Sequence, residues 1–145
     1  MNLSNFGVRT HMKRKTIIII AIVAAVIAGI AITAKIVIGN IESNLEELKY
    51  LKIEEVDLST IEDGTYSGEY SALPVSAKVR VTVEEHQIKG IELVEHVNGQ
   101  GSGAEIIPAT VVEKQTLQID TVSGATYSSK VILKAIENAL LNASK

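Results

Sequence analysis

VSAKVRVTVE, residues 75–84, is the stretch that determines the fold of this chain. Apolar side chains alternate with polar ones along it, at Val75, Ala77, Val79, Val81 and Val83. Because successive side chains of a β-strand point to opposite faces, a strict period of two indicates a strand with one buried face. The stretch therefore predicts a half-buried strand, the clearest structural signal in the chain.

The residues on either side of this strand predict its sheet partners. Glu85-His86-Gln87 reverses the chain, and IKGIELVEH, residues 88–96, returns as a second long strand. The two strands form an antiparallel hairpin. GTYSGEY, residues 64–70, follows an Asp-Gly turn and is predicted to be a further short strand.

Helical signals follow the strands. Pro108 suits the first turn of a short helix predicted over residues 108–115. A last helix is predicted to start near Ser128 or Ser129, with an apolar stripe that packs on the sheet. The stripe consists of Val131, Ile132, Ala135, Ile136, Ala139 and Leu140. The fold class is therefore α+β, a small domain with an antiparallel sheet packed by helices.

An uncharged run, TIIIIAIVAAVIAGIAITA, precedes the domain at residues 16–34. As a helix it would cover about 28 Å, close to the ~30 Å hydrocarbon core of a membrane. Lys35 can snorkel at its end and the following IVIG can extend it, so we predict a transmembrane anchor over residues 16–38. A cleaved signal peptide is the alternative, but the apolar region of such peptides is usually only about 7–15 residues long.

Charge is distributed unevenly along the chain. Residues 1–38 contain five Lys or Arg and no acidic residue, whereas residues 39–145 contain nine Lys or Arg and seventeen Asp or Glu. By the positive-inside rule, residues 1–15 form a basic cytoplasmic tail at the cell membrane, and the acidic domain is extracytoplasmic. Such an acidic domain argues against nucleic-acid binding. Cysteine is absent, which excludes disulfides and thiolate chemistry.

Residues 39–61 connect the anchor to the domain, which is predicted over residues 62–145. Ile41, Leu45 and Leu48 recur at helical spacing there, with acidic residues on the other faces. We predict a helix that continues from the membrane to about residue 60 and acts as a spacer or as a dimer-forming stalk.

No catalytic or metal-binding constellation is recognisable in the sequence. His11 precedes the membrane, His86 lies at the hairpin tip, and His96 lies at the opposite end of the same strand from His86. This arrangement offers neither a Ser-His-Asp triad nor a paired-histidine metal site, and both domain histidines are predicted to be surface residues. The glycine-rich residues 99–103 could bring backbone amides to a phosphate or a flat ring, or simply form a flexible connection.

SGATYSS, residues 123–129, carries more information. One interpretation is an N-capping turn in which Ser128 or Ser129 satisfies free helix amides and Gly124 supplies backbone freedom. Thr126 then precedes the cap and is left without a structural role. Because a helix start favours negative charge, a phosphate on Thr126 would lie where the backbone can receive it.

DTVSGAT, residues 120–126, resembles the flavinylation motif of the FMN-binding domain family, an aspartate followed by Ser/Thr-Gly-Ala-Thr. The resemblance extends over about residues 62–141, through DGTYSGEY, the valine-rich hairpin, the glycine-rich loop and EKQ before the motif. The family includes flavinylated subunits of Rnf complexes and of sodium-pumping NADH:quinone oxidoreductases, and compact membrane-anchored proteins. This chain is most similar to the compact members.

The resemblance implies that Thr126 carries FMN through a phosphoester. A separate magnesium-dependent FMN transferase takes FAD, transfers the FMN moiety and releases AMP. The site residues implied around Thr126 are Asp120, Ser123, Gly124, Ala125, Tyr127 and Ser128. Asp120 and Gly124 would help to present the motif to the transferase, and Tyr127 is the candidate for ring contact. No catalytic or metal-binding residue is expected in the chain itself.

The function expected from the resemblance is electron transfer by a single-span extracytoplasmic flavoprotein. The chain would be no enzyme, although it could be a redox subunit of a larger oxidoreductase. Its expected partners are the transferase, a membrane quinol- or NADH-linked donor and an extracytoplasmic acceptor or reductase. Two alternatives stay open: a non-redox anchored sensor or assembly module, and a noncovalent FMN binder.

Overall fold

The computed structural model describes residues 14–143, so most of the basic tail and His11 lie outside the described residues. The chain begins there with helix α1, Arg14–Tyr50. An 18-residue window within this helix has a mean hydropathy of 3.0 and none of it is buried. By length and composition α1 could cross a membrane, and a signal sequence near the N-terminus meets the same criteria. The orientation of the helix stays a prediction.

The chain divides by its internal contacts into two units, with the boundary between Gly39 and Asn40. The last turns of α1 therefore belong to the domain, and their apolar stripe is not a free surface. Leu48 is fully buried in the domain core, and Leu45 packs against that core. The part of the helix that was predicted to be a spacer or a stalk thus contributes to the core of its own domain.

Helix α1 ends at Tyr50, about ten residues before the predicted end. The Lys130 ammonium donates to the carbonyls of Lys49 at 2.6 Å and of Leu51 at 3.4 Å. The last carbonyls of a helix have no partner within the helix, and a cation stabilises them there. Only a short 3₁₀ helix, Leu58–Thr60, follows before the sheet.

The sheet is a meander of three antiparallel strands in the order β1, β2, β3. Strand β1 spans Gly64–Ala72, β2 spans Val75–Glu84 and β3 spans Gln87–Val97. The alternation along β2 correctly predicted its bounds and its buried face, because all five of its apolar side chains are buried. At the tip of the second hairpin, Glu85 and His86 adopt φ angles of 52° and 59°. Two consecutive left-handed residues form the tight turn that joins twisted antiparallel strands.

Two helices cover the apolar face of the sheet. A 3₁₀ helix, Ser102–Ile106, leads into α2, Ile107–Lys114, which contacts β3, and α3, Thr126–Ala143, packs across β1 and β2. All six residues of the predicted stripe on the last helix are buried. The α+β prediction is therefore confirmed, with an apolar helix followed by a small domain of three antiparallel strands and helices.

The start of α3 differs from the prediction. The helix begins at Thr126, two or three residues before the serines that were expected to cap it. Its first internal hydrogen bond runs from the Ser129 amide to the Ala125 carbonyl at 2.8 Å. Ser128 and Ser129 are consequently buried inside the first turn and are not helix caps.

Candidate functional site

A tight turn delivers the chain into α3. The Ala125 amide donates to the Val122 carbonyl at 2.9 Å, and Gly124, between them, has a φ of +79°. Side chains with a Cβ rarely adopt this backbone conformation, so the glycine of the motif is required by the turn itself. Ala125 points inward and is 5% exposed.

The Ser129 hydroxyl locks this turn from inside the helix. Its Oγ donates to the Ala125 carbonyl at 2.9 Å and accepts from the Val122 amide at 3.0 Å. Ser129 is fully buried, so both bonds are shielded from water. The predicted capping function is therefore replaced by a bridge across the turn that precedes the helix.

Thr126 is the first residue of α3, and it is exposed. The amides of Thr126, Tyr127 and Ser128 precede the first internal hydrogen bond of the helix. Such first-turn amides have no carbonyl partner within a helix and carry part of its positive dipole. The Thr126 hydroxyl is therefore a candidate nucleophile. It lies directly beside an environment that favours an anion.

A shallow cavity of about 160 Å³ opens beside this helix start. One side is formed by the motif turn and the first turn of α3, and the other by the glycine-rich loop and the start of β2. The lining residues are Val75, Asn98, Gln100, Gly101, Gly124, Ala125, Thr126, Tyr127 and Ser128. The fold thus brings Gln100 and Gly101 of the glycine-rich loop, which are more than twenty residues before Gly124, against the motif.

Close packing between Gly101 and Ser128 holds the two sides of the cavity together. A Cβ added to Gly101 would lie 2.0 Å from the Ser128 Oγ and 2.7 Å from its Cβ. The loop can therefore approach the helix start only because residue 101 has no side chain. Gly99, with a φ of +56°, makes the turn that leads into this contact.

The end of α1 also lies near the helix start. A hydrogen bond and ion pair with Glu46 raise the pKa of the Lys49 ammonium above its ordinary value, and the Tyr127 and Tyr50 hydroxyls contribute weakly in the same direction. Lys130, one turn after Thr126, donates to the Lys49 carbonyl. The Lys130 ammonium therefore joins α3 to the end of α1.

The structure places some of the expected site residues beside the cavity and others away from it. Four of them line the cavity together with Thr126: Gly124, Ala125, Tyr127 and Ser128. Asp120 and Ser123 are exposed and do not contribute to the described lining. Tyr127 is half-buried and packs against the core. The roles of these side chains toward a cofactor stay predictions.

The sequence interpretation missed two lining residues, Val75 and Asn98. Val75 was assigned only to the buried face of β2. Asn98 begins an Asn-Gly pair, a strong turn signal, but only the glycines after it were considered.

His96 was predicted to be a surface residue, and this is wrong. Its side chain is 3% exposed, and its Nδ1 lies 3.2 Å from a Glu105 carboxylate oxygen. His86, by contrast, is exposed at the hairpin turn as predicted. Among residues 14–143, no group of three or more His, Asp or Glu side chains is placed to hold a metal ion.

Residues 75–141 match the family described as the FMN-binding domain. The chain is also similar to the NADH:acrylate oxidoreductase of Vibrio harveyi, with 33% identity over 107 residues, which is 69% of this chain and 10% of that protein. The chain thus spans about a tenth of the length of this relative. A solved structure, that of the CPE2226 protein from Clostridium perfringens, matches with a TM-score of 0.47 and 23% identity, over 57% of this chain and 88% of that chain.

Proposed function

Residues 75–141 belong to the FMN-binding domain family, and from this premise we propose that the chain is a membrane-anchored electron carrier with FMN joined to Thr126 by a phosphoester. The electron-transfer domain lies outside the cytoplasm and α1 holds it to the membrane. The resemblance of DTVSGAT to the family's attachment motif supports the choice of threonine.

One structural observation carries the proposal: Thr126 is an exposed hydroxyl residue at the first position of a helix that begins beside a cavity. An exposed side chain can enter the active site of a transferase without unfolding the domain. After transfer, the phosphate lies beside the first-turn amides of α3, which have no carbonyl partners within the helix.

The dimensions of the cavity fit part of FMN. Pockets that enclose a whole ligand of this size usually measure about 300–1,000 Å³, whereas this cavity measures about 160 Å³. It has room for the phosphate and for part of the ribityl chain. The ring system would then lie at the cavity mouth, where Tyr127 is the nearest aromatic side chain of the lining.

A ring held at the surface by few contacts needs a covalent bond to stay with the protein. Outside the cytoplasm, FMN lost by dissociation could not readily be recovered, so the phosphoester supplies the retention that a shallow cavity lacks. The isoalloxazine supplies the redox chemistry, and the chain supplies attachment and surroundings.

Attachment is a phosphoryl transfer in which Thr126 is the nucleophile. The Thr126 Oγ forms a bond to the FMN phosphorus of FAD, the bond between the two phosphates breaks, and AMP leaves. The hydroxyl proton passes to a base of the FMN transferase, and magnesium bound by that enzyme stabilises the leaving phosphate. The chain is therefore a substrate of this reaction and a carrier afterwards.

The partners follow from this role. A quinol- or NADH-linked donor in the membrane reduces the carrier, and an extracytoplasmic reductase or other acceptor oxidises it. The name of the relative from Vibrio harveyi, an NADH:acrylate oxidoreductase, favours a small reducible organic molecule as the final acceptor in at least one arrangement of this domain.

The attachment is tested by the intact mass of protein produced with and without an FMN transferase. Co-expression should add the mass of one FMN less one water, with yellow absorbance that survives denaturation. Thr126→Ala should abolish the added mass, and Thr65→Ala, which changes an exposed threonine of β1 outside the motif, should keep it. Covalent flavin on the Thr126→Ala protein would exclude Thr126.

The same samples separate the alternatives. A noncovalent FMN binder would release its flavin on acid precipitation, and a sensor or assembly module would bind none. Topology is tested by protease added to intact cells, which should remove the domain. Protection of the domain until the membrane is permeabilised would show that the orientation is wrong.

A further inference from the structure

The glycine-rich loop keeps one conformation despite its composition. Three of its five residues, 99–103, are glycines, and glycine loses more backbone freedom on folding than any other residue. The Gly101 amide donates to the Asn98 carbonyl at 2.8 Å, and the Ala104 amide donates to the Gly101 carbonyl at 3.0 Å. Both bonds are local, so the loop needs further contacts to fix it to the rest of the domain.

Three side chains supply such contacts and form a cluster that we call the clasp: His96, Asn98 and Glu105. The Nδ1 of His96 lies 3.2 Å from the Glu105 Oε1 and 3.2 Å from the Asn98 Nδ2. Asn98 Nδ2 also donates to the Glu105 Oε1 at 3.3 Å. The clasp therefore joins the end of β3, before the loop, to the 3₁₀ helix after it.

The two imidazole nitrogens of His96 have different surroundings. Nδ1 belongs to the clasp, whereas Nε2 is buried and has no hydrogen-bond partner among the described residues. An unpaired buried polar atom is unfavourable, so an aliphatic side chain would fill this space at lower cost. Compared with an aliphatic side chain, the imidazole of His96 therefore adds only the contacts of its Nδ1.

We propose that His96 is a positioning residue: its Nδ1 donates to the Glu105 carboxylate, which also accepts from the Asn98 side chain, and Asn98 fixes the loop wall that faces Thr126. The inference rests on the proposed function, because the wall matters as one side of the attachment cavity. His96 itself is not among the residues that line the cavity, so it acts through Asn98.

Two substitutions of His96 by amide side chains distinguish the roles of its two imidazole nitrogens. The side-chain amide of His96→Asn reaches the position of Nδ1 and keeps the clasp, whereas the amide of His96→Gln reaches the position of Nε2 and leaves the clasp open. In the full chain in detergent micelles, His96→Asn should take up flavin from a transferase at close to the wild-type rate. His96→Gln should be slower by about tenfold or more, because a wall displaced by about 1 Å misplaces the acceptor.

Hydrogen exchange supplies a readout that is independent of flavin. In His96→Gln the Gly101 amide should exchange faster, while the amide of Val79 in the sheet core keeps its wild-type rate. His86→Ala, which changes an exposed histidine in the turn before β3, serves as the matched control and should alter neither amide.

Each contrary outcome is informative. Faster exchange at Val79 as well as Gly101 would mean general destabilisation and would overturn a positioning role. Rescue by glutamine but not asparagine would assign the effect to Nε2 and would also overturn it, as would wild-type behaviour of both variants. If the wild-type chain accepts no flavin at all, the proposed function fails, and the exchange comparison still decides the role of His96.

Discussion

Gly101 and Ser128 pack without space for a side chain between them: a Cβ on residue 101 would lie 2.0 Å from the Ser128 Oγ. The Ser128 hydroxyl could rotate away, but the Ser128 Cβ, at 2.7 Å, could not. The glycine-rich loop can therefore lie against the first turn of α3 only because residue 101 has no side chain.

Gly101→Ala should consequently displace the loop from the helix start. Overpacking of this kind costs about 1–3 kcal/mol, and in a domain of this size each kcal/mol lowers the Tm by about 4–8 °C. Thermal unfolding followed by circular dichroism measures the change. Gly103→Ala is the matched control, since its Cβ would meet its nearest neighbour, a Val122 methyl group, at an ordinary 3.6 Å. Equal Tm values for the two variants would contradict the close contact.

A second glycine sets the distance between the sheet and α3. A Cβ on Gly68 would lie 2.2 Å from the Ala135 carbonyl oxygen and 2.4 Å from the Ala139 amide nitrogen. Both atoms belong to the helix backbone, so the helix itself must move.

We therefore expect Gly68→Ala to be more harmful than Gly101→Ala, with a loss of about 3 kcal/mol or more in the free energy of unfolding. Gly90→Ala is the control, because it adds the same methyl group to β3 where nothing lies within 4 Å. Urea denaturation of the three proteins gives the comparison. A Gly68→Ala protein as stable as Gly90→Ala would show that α3 does not pack as described.

Glu137 connects α3 to the segment that follows α1. Its side chain is 2% exposed, accepts from Lys134 Nζ at 2.7 Å and accepts from the Glu54 amide at 3.2 Å. Glu137→Ala leaves the ammonium and the amide without this acceptor, and breaking a buried ion pair typically costs about 3–5 kcal/mol. Glu137→Gln keeps an amide oxygen for Glu54 and should lose less. If the two variants unfold at the same urea concentration, the hydrogen bond to Glu54 contributes nothing.

The parts of the fold that were predictable from the sequence are those with local causes. The alternation in β2 and the apolar stripe of α3 are set by the period of the chain itself, and both were predicted residue by residue. The motif SGAT was also visible as a turn before a helix.

The features that were missed depend on contacts between distant residues. Helix α1 ends where Lys130, about eighty residues away, reaches its last carbonyls, and no signal near Tyr50 reveals this. The same is true of His96, whose side chain is 3% exposed and lies 3.2 Å from Glu105, nine residues further along the chain. The start of α3 was placed too late because serine was read as a cap, although Ser129 bonds the turn from within the helix.

Asp120 supplies a test of how the motif is recognised. It belongs to the DTVSGAT motif, yet it is exposed and does not contribute to the described lining of the cavity beside Thr126. Its negative charge would also repel a phosphate on Thr126, so a role in holding FMN after attachment is disfavoured. Two roles are left, holding the turn and recognition by the transferase as the motif docks, and we expect the second.

Asp120→Ala should therefore slow covalent flavin loading strongly while it changes the Tm by less than the roughly 4–8 °C that corresponds to 1 kcal/mol. A time course of covalent flavin fluorescence and melting curves of loaded and unloaded samples measure the two effects. Asp120→Asn separates charge from shape, since it keeps the oxygen and loses the charge, and Glu113→Ala controls for the removal of an exposed acidic residue elsewhere. Flavin already attached should stay attached in every variant, because the phosphoester does not depend on Asp120. Normal loading together with a Tm lowered by several degrees would show instead that Asp120 holds the turn.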